Sequence, residues 1–408
     1  MKAEQLSDAL NDLDDGIIEE TGQLRETRKR RGGNWKRWAT AAACLCVVVA
    51  ALAALPRLVR NGPDPALTAP VHSGPASTPT EPVHIDPGLL PLQLPETVGG
   101  GFGFAGIMLY DISELGLGPW NQAMELTQLP VYENGSYNIA GVPVGLGEYE
   151  ILERLEAAAR ALDAEILDTE YYYGETATGT GPVACITARA DGLEIAAQAD
   201  GEVEVTFEGG LPLPEEYHFT DDATDEETEA VLNYLTGRFS DLLGFSQPRL
   251  ALSGDYTFSG TLHRTDAVYD GGADSVEAIL NYSFRSVRFI SNDDGNLRMI
   301  RLEDDLASAR ELGGYPIITA DEAKSLLLDG RYITSVPYEL SGEEYVAAVE
   351  LTYRNSKTDE YFLPYYLFFV ELPEEARDNG LKTYGMYYVP AVWEQYIANM
   401  PVYDGRFN

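Results

Sequence analysis

Ala39 to Leu55 is an almost purely apolar run of Ala, Val, Leu and Cys, framed by Trp35 and Trp38 on one side and by Pro56 and Arg57 on the other. At ~1.5 Å rise per residue, a helix through this run is roughly 26 Å long, close to the ~30 Å hydrocarbon thickness of a bilayer. Arg25, Arg28, Lys29, Arg30, Arg31, Lys36 and Arg37 precede it, whereas only Arg57 and Arg60 follow closely. The asymmetry predicts a type II single-pass anchor over 38–56, with residues 1–37 in the cytoplasm and the remainder outside the cell membrane. Three other readings compete. A cleavable signal peptide would use Ala51 and Ala53 as its small-residue pair, but the long charged stretch ahead of the run argues against it. A lipoprotein signal would place its apolar segment before the lipidated cysteine, and here the most apolar part follows Cys44 and Cys46. A buried core helix would not carry seven cations on one flank.

Charge divides the chain at the same place. Residues 1–60 hold ten Lys/Arg against eight Asp/Glu, which leaves 18 Lys/Arg against 58 Asp/Glu in the rest. So acidic a segment repels phosphate backbones and anionic head groups, and nucleic acid is excluded as a partner. A solvated acidic surface explains the charge; cationic peptides or metal ions are the functional alternative. Of the three cysteines only Cys185 lies beyond the apolar run, so no intramolecular disulfide can staple the outer segment. Its stability must come from burial.

Leu6, Leu10, Leu13 and Ile17 recur at helical spacing in residues 1–24, with Ser7, Asp8, Asn11 and Asp12 opposite. A helix this short is marginal alone in water. Its apolar stripe is therefore the candidate partner-binding surface, facing a protein in the cytoplasm or membrane. From Asn61 to Pro95 nine prolines mix with Ser, Thr, Ala and Gly, a composition that predicts an extended spacer over 57–97. At ~3.1 Å per residue it reaches roughly 100 Å.

The folded part is expected to begin near Val98 and to comprise an α+β domain over 98–303 and a second α+β unit over 304–408. A helix is predicted over about 148–162, with Leu152, Leu155, Ala159 and Leu162 on one face. Asp191-Gly192 and Asp200-Gly201 are hairpin signals within an antiparallel meander from Val183 to Phe207. Thr224 with Glu227 has capping-box spacing and opens a helix carrying Val231, Leu235, Phe239 and Leu242. Strands are expected at about 248–258, 262–269, 278–291 and 296–303. Thr319 with Glu322 opens a third helix, which Gly330 ends. Tyr345, Ala347, Val349, Leu351 and Tyr353 alternate as a half-buried strand. Tyr361–Leu372 reads as a central strand interrupted at Pro364, and Tyr384–Val392 supplies the last. The expected class is α+β, with antiparallel sheets that each carry helices on one face.

Two stretches carry a resemblance. LSDALNDLDDGIIEE, a basic stretch and WKRWATAAACLCVVV resemble the start of a group of Gram-positive single-pass proteins, some laid out like anti-sigma factors, which hold a sigma factor with their cytoplasmic segment. Residues 1–37 contain neither His nor Cys, so the zinc ligands of the commonest anti-sigma helices have no counterpart. ITADEAKSLLLDGRY, YVAAVELTYR, YFLPYYLFFVEL and YGMYYVPAV, over roughly 317–393, resemble the PepSY-like and YycH/YycI-like extracytoplasmic domains. The resemblance implies a bitopic regulator of signalling.

Catalytic signals are sparse. His72 and His84 fall in the spacer, and His218 and His263 lack metal-ligand spacing. No cofactor or metal is expected. Cys185, in VACITA, reads as a core thiol and not as a nucleophile. Asp221, Asp222, Asp225, Glu226 and Glu227 crowd a helix start, where carboxylates complement the dipole; calcium is the alternative. Asn292-Asp293-Asp294-Gly295-Asn296 reads as a turn. Tyr361, Phe362, Tyr365, Tyr366, Phe368 and Phe369 read as strand packing, with a sugar or peptide groove as the alternative. The expectation is a non-catalytic, membrane-anchored regulatory or binding protein. The alternatives are an envelope hydrolase with a carboxylate pair and an anti-sigma-like regulator.

Overall fold

At Asp191-Gly192 the chain reverses with Gly192 at φ 73°, a left-handed backbone that glycine adopts freely. The turn lets β4 (Gly179–Ala190) pair with β5 (Leu193–Gln198), as the dipeptide predicts. A second reversal, through Asp200-Gly201, leads into β6 (Val203–Leu211). The structure is a computed structural model that describes residues 88–95, 105–137, 144–176 and 179–407. The apolar run, most of the proline-rich stretch and Leu6, Leu10, Leu13 and Ile17 lie outside the described residues. Among the described residues no helix is long and apolar enough to cross a membrane.

The meander belongs to an eight-stranded antiparallel sheet. β3 (Asp168–Thr176) flanks β4, and beyond β6 come β12 (Leu297–Leu302), β11 (Val287–Ser291), β10 (Ala267–Asp270) and β7 (Pro248–Ala251). Its core side is covered by α1 (Glu148–Ala161), α2 (Asp225–Arg238) and the single turn α3 (Ser240–Leu243). Gly147 donates its backbone N–H to Glu150 at the start of α1, and Ile151, Leu155, Ala158 and Ala159 are buried toward the strands. The capping box of Thr224 and Glu227 opens α2, and Val231 and Leu235 are fully buried. The expected single helix to about residue 243 is broken at Phe239 into α2 and α3.

A second sheet runs β1 (Gly106–Leu109), β18 (Lys382–Pro390), β17 (Pro364–Glu371) and β15 (Val346–Tyr353), with β14 (Ile333–Thr334) also paired to β18. Beside it β13 (Arg310–Pro316), β2 (Gln128–Glu133) and β16 (Tyr361–Phe362) form three strands, and β8 (Gly254–Tyr256) pairs with β9 (Leu262–Arg264). The chain is therefore α+β with antiparallel sheets. Pro364 marks the corner where the chain leaves β16 for β17. It lacks an N–H, and its carbonyl accepts from Ala391. The aromatic run around it is buried packing, as expected: Phe362, Tyr365, Tyr366, Phe368 and Phe369 are all within cores. Thr319 and Glu322 cap α5 (Ala320–Leu328), which packs on β18, and Gly330 follows it at φ 74°.

Three expectations need correction. Residues 275–284, read partly as a strand from 278, form the helix α4 (Ser275–Phe284). Asp274 accepts hydrogen bonds from the N–H groups of Val276 and Glu277, and Ile279 and Phe284 are buried. A short apolar segment with β-branched residues satisfies both periodicities, and the cap decides. Second, the end of the proline-rich stretch is not free spacer. Leu92 and Leu94 are buried, Leu92 exchanges backbone hydrogen bonds with Tyr396 and Ala398, and Asn399 clasps the N–H and carbonyl of Leu94. Third, β15 is not half-buried along its length. A register irregularity between Val346 and Ala348 precedes a stretch, Glu350 to Tyr353, that is buried on both faces. The second sheet also draws β1, and its core draws α4, from before residue 304, and all described residues belong to one unit, His84–Asn408.

Candidate functional site

Small side chains make room for a site on the helical side of the large sheet. Ala157, Ala158 and Ala161 of α1 leave a gap facing Leu242, Leu243 and Phe245, and Val203, Val287 and Leu302 form its floor. The cleft holds about 340 Å³, at the small end of ligand pockets, and Arg154, Asp241, Arg285, Glu303 and Asp304 line it beside the apolar residues. One rim is charged. Arg154 donates from Nη2 to Asp304 Oδ2 at 2.8 Å, and Arg285 donates from Nε to Asp304 Oδ1 at 3.0 Å. One carboxylate thus orients two guanidinium groups. Gly201 positions this bridge: at φ 104° it lies so close that a Cβ would meet the Asp304 carbonyl oxygen at 2.3 Å. Glu303, also on the lining, accepts from Ser286 Oγ at 2.7 Å.

Behind the rim a second polar group ties the sheet to the segment after β15. Asn355 Nδ2 donates to Asp305 Oδ2 at 2.8 Å, and Lys357 donates to Asp200. Burial, reinforced by Glu303 and Asp200, pushes Asp305 up to about 7, although the Asn355 bond pulls it back. Glu202 is likewise raised to about 7, by burial and by Glu204, with Arg301 opposing. Asp200 and Lys357 act on both carboxyls.

Cys185 is a correction. It is half-buried and belongs to no core cluster, because Ile186 and Ala188 take the core face of β4 and Cys185 takes the other. Burial, with the charges of Glu204, Asp200, Glu194 and Glu202, pushes its thiol up to about 11, so thiolate is scarce at neutral pH. The remaining candidates resolve into local structure. His218 and His263 are exposed beside Asp222 and Asp221. Asp225 pairs with Arg264, and Glu227 is spent on the cap of α2. Asn292 Oδ1 accepts from Asp294 and Asn296, which makes 292–296 a turn. Among the described residues no group of three or more His, Cys, Asp or Glu is placed to hold a metal ion.

Glu350 was hidden in an alternating strand pattern. It is 6% exposed, and its carboxylate accepts from the N–H of Gly118 at 2.9 Å. Burial raises it from an ordinary 4.5 to about 7, against the lowering effect of that bond. The folded chain therefore binds a proton more tightly than the unfolded chain, and its stability falls as pH rises from about 4.5 to about 7. Glu350→Gln should remove a loss on the order of 2–3 kcal/mol between pH 5 and pH 8. Urea midpoints of both proteins at the two pH values measure it. Equal pH dependence in the two would mean that Glu350 is not the group responsible.

Comparison with family models, curated proteins and solved structures found no match for this chain.

Proposed function

We propose that the chain is a non-catalytic, single-pass membrane protein whose extracytoplasmic part binds an envelope ligand or partner, with a regulatory role. The apolar run and its flanking cations support the anchor and its orientation. The observation that carries the binding reading is the cleft. Its polar lining sets the guanidinium groups of Arg154 and Arg285 beside the carboxylates of Asp241, Glu303 and Asp304, fixed charges suited to recognising a ligand by complementarity. A photo-crosslinking residue at Ala157, inside the cleft, should capture one envelope component in intact cells. The same residue at exposed Leu167 should not, and equal capture from both positions would count against the cleft. Cysteine labelling of intact cells should succeed at an engineered Ser77 site and fail at Ser7; the reverse would overturn the topology. The stripe of Leu6, Leu10, Leu13 and Ile17 is the proposed contact for a cytoplasmic or membrane partner. Leu10→Asp with Leu13→Asp should abolish that contact.

A second reading, an envelope hydrolase, is favoured by Glu202 and Asp305, two carboxyls raised toward neutrality that share the charges of Asp200 and Lys357. If the purified protein degraded a wall polymer, and Asp305→Asn stopped it, this reading would replace the first.

A further inference from the structure

We infer that β3 is a docking edge for an extended basic peptide of a partner protein, which adds a further strand to the large sheet. The edge lies apart from the cleft, so the inference goes beyond the binding reading above. The two ends of the sheet differ. β7 is four residues long and opens with Pro248 and Arg249, devices that keep a sheet end closed to further strands. β3 is nine residues long and has neither Pro nor Lys. β4 pairs with one side of it, and among the described residues no strand pairs with the other. Its register with β4 is regular from Asp168 to Tyr172 and irregular beyond, so the docking stretch is short. Another backbone is the natural match for such an edge, because its outward N–H and C=O groups recur at the strand repeat.

The side chains select the sequence of that backbone. Asp168 lies opposite Arg189, Glu170 opposite Thr187, and Arg189 in turn opposite Glu194. Arg189 Nη2 donates to Asp168 Oδ2 at 2.6 Å but stands 3.9 Å from Glu170 Oε1. From this stretch across β4 to β5, the carboxylates of Asp168, Glu170 and Glu194 therefore face one guanidinium, and Asp191 in the adjoining turn has their sign. Lys or Arg at alternate positions of an added strand would meet Asp168 and Glu170. On the other face Tyr171 lies opposite Ile186 and Tyr173 opposite Val183, yet both tyrosines are exposed, because α1 is seated over β4, β5 and β6. Apolar or aromatic residues between the cations would pack on them. A second copy of this chain fits worse. Continuing the antiparallel sheet with it sets its own Asp168 and Glu170 on the same face, like charge against like.

The test titrates the full chain, in nanodiscs of zwitterionic lipid, with the end-blocked heptapeptide KVKYKVK, subtracting empty nanodiscs. Three control peptides accompany it. KKVYVKK keeps the composition without the alternation, EVEYEVE reverses the charge, and KVKYKVK N-methylated at two consecutive central residues is blocked on both strand edges. KVKYKVK should bind about tenfold more tightly than each control. Glu170→Lys should weaken it about tenfold and make EVEYEVE the better ligand. Tyr171→Ala should weaken it as well, through the opposite face. Glu170 and Tyr171 are both exposed, so their replacement leaves the core intact, which unchanged melting of each variant verifies. If any control bound as tightly as KVKYKVK, if Glu170→Lys changed nothing, or if no peptide bound, the inference would fail, while a crosslink from Ala157 would still support the cleft. Self-association of the full chain that is lost on Tyr171→Asp would give the edge to a second copy and overturn the inference too.

Discussion

Phe284→Ala is expected to lower folding stability by about 3–5 kcal/mol. Phe284 is fully buried at the end of α4, with ring centroids of Tyr353 and Phe362 at 5.1 Å and of Tyr132 at 6.4 Å. Those partners come from β15, β16 and β2, so one ring joins the helix to two sheets. Truncation removes both the transfer free energy of the ring and the aromatic contacts around it, and three rigid neighbours cannot collapse to fill the space. Chemical denaturation should show a lower midpoint at unchanged slope. A loss below about 1 kcal/mol would mean that α4 does not anchor the sheets as described. The variant should also weaken the charged rim, because Arg285 follows Phe284 directly, and the Phe284 carbonyl accepts the N–H of Asp305, beside Asp304.

A chain shortened to begin at Val98 is expected to be less stable than one beginning at His84 by about 5 kcal/mol or more, since two buried leucines leave at once. Leu92 is fully buried against the core that holds Tyr315 and Tyr396, and Leu94 is nearly so. Their removal also strands polar groups. Tyr315 loses its acceptor, the carbonyl of Leu90 at 3.0 Å, and Asn399 loses both partners on Leu94. An unmatched buried hydroxyl adds a further penalty of ~1–3 kcal/mol. Such a sum approaches the whole stability of an ordinary domain, so the shortened chain should bind hydrophobic dyes and melt without a sharp transition. Melting within a few degrees of the longer chain would show that residues 88–95 add little.

Much of the fold was legible because its signals are local. Thr224 with Glu227, Thr319 with Glu322, and the two Asp-Gly pairs act through hydrogen bonds or backbone angles spanning four residues or fewer. The apolar faces of α1 and α2 follow from helical period alone. The class, α+β with antiparallel sheets, follows from how these elements alternate along the chain.

What only the tertiary structure decided has a common physical cause: the deciding partner is distant in sequence. Leu92 looks like spacer beside its prolines until Tyr396 and Ala398 complete its hydrogen bonds. Glu350 looks like the polar side of an alternating strand until the N–H of Gly118 meets it in the interior. Cys185 looks like a core residue until the register of β4 turns Ile186 inward instead. The cleft had no signal at all. Arg154, Arg285 and Asp304 come from α1, the end of α4 and the segment after β12, and each alone is an ordinary surface charge. Local chemistry determined which segments are helix, turn or strand, and folding alone determined which distant charges share a wall.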